Sequence, residues 1–134
     1  MIGVLIVTHG ALADELLAAA RIIAAEELPR FRALSLDWQV GLEEARARIS
    51  EAVTALDDGD GVIVLTDMLG GTPSNLSLSF LQEGKVEVVT GVNLPMLMRL
   101  AHLRESKDLK EVASALRQSG QQGITVASEV LHGK

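Results

Sequence analysis

The 134-residue sequence has no cysteine and no tyrosine, and its aromatic residues are one Trp and two Phe. Without cysteine, disulfides, thiolate metal sites and thiol catalysis are all excluded. So few rings leave little to stack on bases or sugar rings, and the core must be aliphatic. Basic residues are in deficit: 12 Lys and Arg against 18 Asp and Glu leave a formal charge of −6. That removes the electrostatic basis for binding nucleic acid or an anionic membrane surface. No apolar run approaches the roughly 20 residues a membrane span needs. The apolar opening at residues 2–7 is too short for a signal sequence and lacks a basic flank. The three histidines are too scattered to build a metal site. These absences predict a cytoplasmic protein without metal or other cofactor. What is present, 48% apolar residues over this length, predicts one domain spanning 1–134 with a packed interior.

Strand and helix patterns alternate along the chain. Residues 2–8 are a continuous apolar, β-branched run, as in a strand covered on both faces. Leu12, Leu16, Leu17, Ala20, Ile23 and Ala24 then recur at helical spacing up to Pro29. A short second strand is expected at 33–37. Leu42, Ala45, Ile49, Ala52, Val53 and Leu56 mark another helix, stopped by Asp57-Asp58-Gly59-Asp60-Gly61. That acidic loop lacks the spacing and closing Glu of a calcium loop, and reads as a helix stop. The third strand is 62–66. Thr72-Pro73 resembles an N-cap followed by proline at the first helical position, with Leu76, Phe80 and Leu81 on one helix face. A fourth strand at 85–90, a helix at 94–103, a last helix ended by Gly120 and a short fifth strand at 124–127 complete the pattern. Such alternation requires right-handed crossovers and a mainly parallel sheet. A flavodoxin-like, doubly wound α/β fold is therefore expected, with strand order 2-1-3-4 and the fifth strand at the edge.

In that order strands one and three flank the switch point, and each ends on one ionisable residue: His9 and Asp67. A histidine that accepts a phosphoryl group needs one neutral ring nitrogen to attack with, and the other nitrogen must hold the proton. A carboxylate accepting that proton's hydrogen bond fixes the tautomer and steadies the charge that develops, which is the role expected of Asp67. Gly70 and Gly71 let the backbone approach the phosphoryl oxygens. The helix start offers the N–H groups of Gly71, Thr72, Ser74 and Asn75, and Thr8, Thr66 and Thr72 offer hydroxyls. Taken singly, each feature has a plainer reading as a cap, a turn or a helix start. Their convergence on one crevice favours the site. His102 reads as structural and His132 as part of a terminal tail. Arg99, Arg104, Lys107 and Lys110 read as a solvated face. Trp38, following strand two, is expected on the rim of the crevice or in the core.

Three segments together resemble the mannose-family enzyme IIA component of the bacterial phosphoenolpyruvate-dependent sugar phosphotransferase system. They are Val7-Thr8-His9-Gly10, the run from Thr66-Asp67 through Gly70-Gly71-Thr72-Pro73-Ser74-Asn75, and Thr90-Gly91-Val92-Asn93-Leu94-Pro95-Met96. The resemblance implies a phosphotransferase working through a phosphohistidine. His9 would take phosphate from HPr and pass it to an enzyme IIB, with Asp67 as its hydrogen-bonding partner. It also implies a homodimer to which the C-terminal strand contributes. Two departures stand out: no IIB domain is fused here, and the last strand is short and weakly apolar. The first leaves open a regulatory protein whose His9 phosphorylation controls a partner without sugar transport. A two-component receiver would need an acidic pair where His9-Gly10 stands and a Lys ending strand five. A flavodoxin would need a hydroxyl-rich phosphate loop in place of Gly10-Ala11-Leu12-Ala13.

Overall fold

Strand β1, Gly3–His9, has six consecutive buried residues before its end emerges at His9. Successive side chains of a strand point to opposite faces, so an unbroken apolar run needs cover on both. Val4 and Ile6 pack on one side with Ala13, Leu17 and Ala20 of α1 (Leu12–Ala24), Met96, Leu97 and Leu100 of α4 (Leu94–Leu103) and Leu116 of α5 (Leu109–Gln122). Leu5 and Val7 pack on the other with Ala45, Ile49 and Ala52 of α2 (Leu42–Leu56) and Leu76 of α3 (Thr72–Leu78). Each fully buried aliphatic side chain contributes about 1.5–3 kcal/mol of transfer free energy. The two aliphatic layers thus do the work that aromatic residues do in many cores.

In this computed structural model, which describes every residue except Trp38, Arg104, Lys107 and Lys134, one sheet is formed by β1, β2 (Phe31–Leu36), β3 (Val62–Thr66) and β4 (Val86–Thr90). The order is β2-β1-β3-β4 and every pairing is parallel. The flavodoxin-like order expected from the alternation is therefore the observed one. Val7 lies opposite Thr66 and His9 opposite Leu36, so the loops after β1, β2 and β3 gather at one carboxyl edge.

Several boundaries differ from the expectation. The second strand begins at Phe31 and ends at Leu36, which leaves Asp37 in the following loop. Gly71, not Thr72, is the N-cap of α3, so Thr72 and Pro73 already lie inside the helix. That helix stops at Leu78, and Leu81 is exposed instead of sharing the buried face of Leu76. Gly120 does not end α5. It is buried within it, where a Cβ would meet Met96 at 2.8 Å, and the helix continues to Gln122. The fifth edge strand is absent among the described residues: 124–126 pair with no strand, and Ala127–Leu131 form a short helix, α6. A segment that finds no strand partner within its own chain has no ladder to stabilise it, and its apolar residues stay exposed.

Candidate active site

His9 is an odd-numbered residue of β1, so it projects to the same side as Leu5 and Val7, toward α3. Asp67 follows β3 directly. Its Oδ2 accepts the backbone N–H of His9 at 3.0 Å and the ring Nδ1–H of His9 at 2.7 Å. Its Oδ1 accepts the backbone N–H of Met68 at 3.0 Å. Burial pushes the Asp67 carboxyl up, but the backbone N–H of His9, then its ring, more than offset this and hold the group below the ordinary aspartate value. An ionised carboxylate can only accept, so Nδ1 carries a proton, and in the neutral ring Nε2 then carries the in-plane electron pair. Asp67 is 12% exposed and His9 35%, so the clamp is sheltered and the ring opens to the surface.

Beyond the ring lies the loop from Met68 to Gly71. Gly70 turns it at φ +91°, a conformation that favours glycine. The Asn75 side-chain amide donates to the Gly70 carbonyl at 3.3 Å. Gly71 sits directly against the Cε1–Nε2 edge of His9. Thr72 and Pro73 line a cavity of about 280 Å³ together with His9, Leu36, Asp37 and Val40. The N–H groups of Gly71, Thr72 and Ser74 precede the first intrahelical bond of α3, which Asn75 N–H makes to the Gly71 carbonyl at 2.9 Å. Asn75 thus spends its backbone donor inside the helix and is not placed to offer it to an anion.

Two of the hydroxyls considered for the site, those of Thr8 and Thr66, face the interior, and so does that of Ser74. Thr8 points to the opposite side of the sheet from His9, where its Oγ1 accepts the Ala13 N–H at 2.7 Å and secures the start of α1. Thr66 Oγ1 and Ser74 Oγ lie 2.6 Å apart and are fully buried. Ser74 donates its proton to the Met68 carbonyl, so Thr66 donates to Ser74. These bonds shape the loop beneath the site. The structure therefore brings together His9, Asp67, Gly71 and Thr72, with Gly70 forming the turn, and leaves the Thr8, Thr66 and Ser74 hydroxyls behind them.

Reading the sequence alone missed the wall formed by Leu36, Asp37, Val40, Leu42 and Ala45. The signal was available, because β2 neighbours β1 and its following loop must flank His9. Trp38, expected on this rim, lies outside the described residues, as do Arg104 and Lys107. Leu12, Leu42, Met68 and Leu69 are exposed on the loops and helix starts around the same edge. His102 is exposed on the last turn of α4 and is not a core residue; His132, Arg99 and Lys110 are exposed as well. Asp57 accepts the N–H groups of Gly59 at 2.9 Å and Gly61 at 3.3 Å, the geometry of a helix stop.

The fold carrying this clamped histidine is shared with known proteins. The family model described as "PTS system fructose IIA component", EIIA-man, matches residues 3–117. The chain belongs to this family. It is a mannose-family IIA component, and so a phosphoryl carrier of the sugar phosphotransferase system. The IIA chain is 31% identical over 137 residues to the fructose-specific EIIA component of Bacillus subtilis, covering 98% of this chain and 90% of that protein. It is 28% identical over 133 residues to the mannose-specific EIIAB component of Escherichia coli, covering 92% of this chain but 38% of that longer protein. The crystal structure of the phosphotransferase system component EIIA from Streptococcus agalactiae superposes with a TM-score of 0.86 at 28% identity, over 96% of this chain and 98% of that one. Among the described residues of this IIA chain, no helix is long and apolar enough to cross a membrane.

Proposed function

We propose that this IIA chain accepts a phosphoryl group from phospho-HPr on Nε2 of His9 and passes it to an enzyme IIB. The observation that carries the reading is the 2.7 Å bond from His9 Nδ1–H to Asp67. It leaves Nε2 as the attacking nitrogen, turned toward the start of α3. In the transfer, the P–N bond to the donor histidine breaks as the Nε2–P bond forms. The Nδ1 proton stays on the ring, which becomes cationic and is stabilised by Asp67. The protein has no other covalent chemistry to perform, so positioning and charge stabilisation supply the catalysis. The N–H groups of Gly71 and Thr72 and the Thr72 hydroxyl are the donors we assign to the phosphoryl oxygens, Ser74 being fully buried behind them, and no metal or cofactor is invoked.

The exposed apolar side chains of Leu12, Leu42, Met68 and Leu69 support docking of another protein at this edge, because an open apolar rim around a reactive group suits a partner more than solvent. A single domain spanning 1–134 accords with the one continuous sheet and the two layers it carries, and membership of the IIA family supports a cytoplasmic location. A homodimer is supported by two further features. Beyond a single bridge between Gln82 and Val86, the outer edge of β4 pairs with no strand among the described residues, and beside its amino end lies a cavity of about 740 Å³ lined by Leu81, Val86 and Leu109 together with Glu83, Glu87, Asp108 and Lys110. Ile124, Val126, Val130 and Leu131 of the C-terminal segment are meanwhile exposed. An open strand edge is a template for a strand from another copy.

The test is to phosphorylate the protein through HPr and offer it to purified IIB proteins with and without sugar. Transfer to a IIB is expected. A phosphoprotein stable toward every IIB would replace the transport role with regulation through the phosphorylation state of His9.

A further inference from the structure

We infer that Gly71 is a positioning residue for His9, because the missing side chain at this place is what lets the imidazole lie against the loop with its Nδ1–H on Asp67. The backbone makes no demand for glycine there. Gly71 has φ −83° and ψ 168°, extended values that any residue adopts, whereas Gly70 beside it has φ +91°. The demand comes from space. A Cβ on Gly71 would lie 2.7 Å from His9 Cε1 and 3.2 Å from Nε2, with Met68 Cγ next at 3.7 Å. Carbon atoms in good contact are about 3.5–4.0 Å apart, so the ring would have to move.

It cannot move without loss. The ring is held by its Nδ1 edge to Asp67 at 2.7 Å, and its Cε1–Nε2 edge is the one that rests on Gly71. A methyl wedged under the second edge tilts the first away from the carboxylate. The two glycines thus do different work: Gly70 makes the turn, and Gly71 is the floor beneath the reactive nitrogen. The functional consequence rests on the reading of His9 as phosphoacceptor, whereas the steric coupling of Gly71 to the ring stands without it.

The test is a thermal double-mutant cycle over wild type, Gly71→Ala, His9→Ala and the double variant, joined to 15N NMR of the His9 ring. Alanine for glycine at a compatible φ/ψ restricts the unfolded chain, but Gly71 is also the N-cap of α3, where glycine is preferred over alanine in either background, so the coupling is read from the difference between backgrounds. Gly71→Ala is expected to lower Tm clearly more when His9 is present than when His9 is Ala. The His9 signals are expected to leave the Nδ1–H tautomer pattern, and HPr-dependent phosphorylation to slow by more than tenfold. Should Gly71→Ala fail to fold while the double variant folds, the coupling is equally established. An identical Tm shift in both backgrounds, failure of both to fold, or unchanged ring signals would overturn the inference. If the cycle shows coupling but wild type takes no phosphate on His9, the positioning role stands and the functional reading falls.

Discussion

One oxygen, Asp67 Oδ2, holds both the main chain and the ring of His9, while Oδ1 holds the N–H of Met68. Asp67 therefore joins the ends of β1 and β3 as well as orienting the imidazole, and its replacement should touch stability and rate together. An Asn at 67 must turn its NH2 toward a donor in either orientation. Facing Met68 it loses the bond to the Met68 N–H, and facing His9 it loses the bond to the His9 main-chain N–H while the ring bonds only by changing tautomer so that Nδ1 accepts. Asp67→Asn is thus expected to cost about 1–3 kcal/mol of stability and to slow His9 phosphorylation on the order of 10–100-fold. The pH dependence has a definite sign. The folded pKa of Asp67 lies below its ordinary value of 3.8, so its stabilising contribution is complete above that value and is lost as pH falls through the lower folded pKa. The Tm gap between wild type and Asp67→Asn should be full at neutral pH and close on acidification; a gap constant down to acid unfolding would contradict it. The His9–Asp67 pair was legible in the sequence because both residues end buried runs that become neighbours in this strand order. The inward turn of Thr8 was legible too, in the two-residue period that sends it to the face opposite His9. The bond between Thr66 and Ser74 was not, since it depends on how the loop folds back.

At the scale of elements, the site is built by three strand ends and secured by the helices that follow them. Helix α1 has Ala11 at its N-cap, with no side-chain cap of its own, and Thr8 supplies the missing acceptor to the Ala13 N–H from three residues before that cap. Thr8→Val keeps the shape and removes the acceptor. It is expected to cost about 0.5–2 kcal/mol, as cap losses do, while His9 is still phosphorylated at a rate close to wild type. A large loss of rate with no loss of Tm would instead return the Thr8 hydroxyl to the phosphate. Helices α1, α2, α4 and α5 and the four strands followed from periodicity and α3 chiefly from its Thr72-Pro73 start, whereas α6 was not foreseen. The fifth strand failed for a physical reason: residues 124–127 carry an apolar pattern, but among the described residues β4 takes up no fifth strand. Gly120 misled for a related reason, because it marks where α5 crosses Met96 closely, which is packing and not termination.

For the whole molecule, the carboxyl edge carries the clamped histidine within an apolar rim, and the β4 edge with the exposed C-terminal segment is where we propose that a second copy docks. Removing residues 124–134 should convert a dimer to a monomer by light scattering, with phosphorylation of His9 retained; an unchanged mass would remove that segment from the interface. Mannose-family membership fixes the phosphotransferase system as the setting. The division of labour between His9 and Asp67 is the central claim, and one measurement meets it directly. The protein is labelled through a phosphoenolpyruvate-driven cascade ending in HPr, and the label is then mapped and its stability tested. The expected result is one acid-labile, base-stable phosphoryl group, confined to the peptide containing His9 and absent from His9→Ala. A base-labile label, as an acyl phosphate on Asp67 would give, or a label that survives His9→Ala, would contradict it.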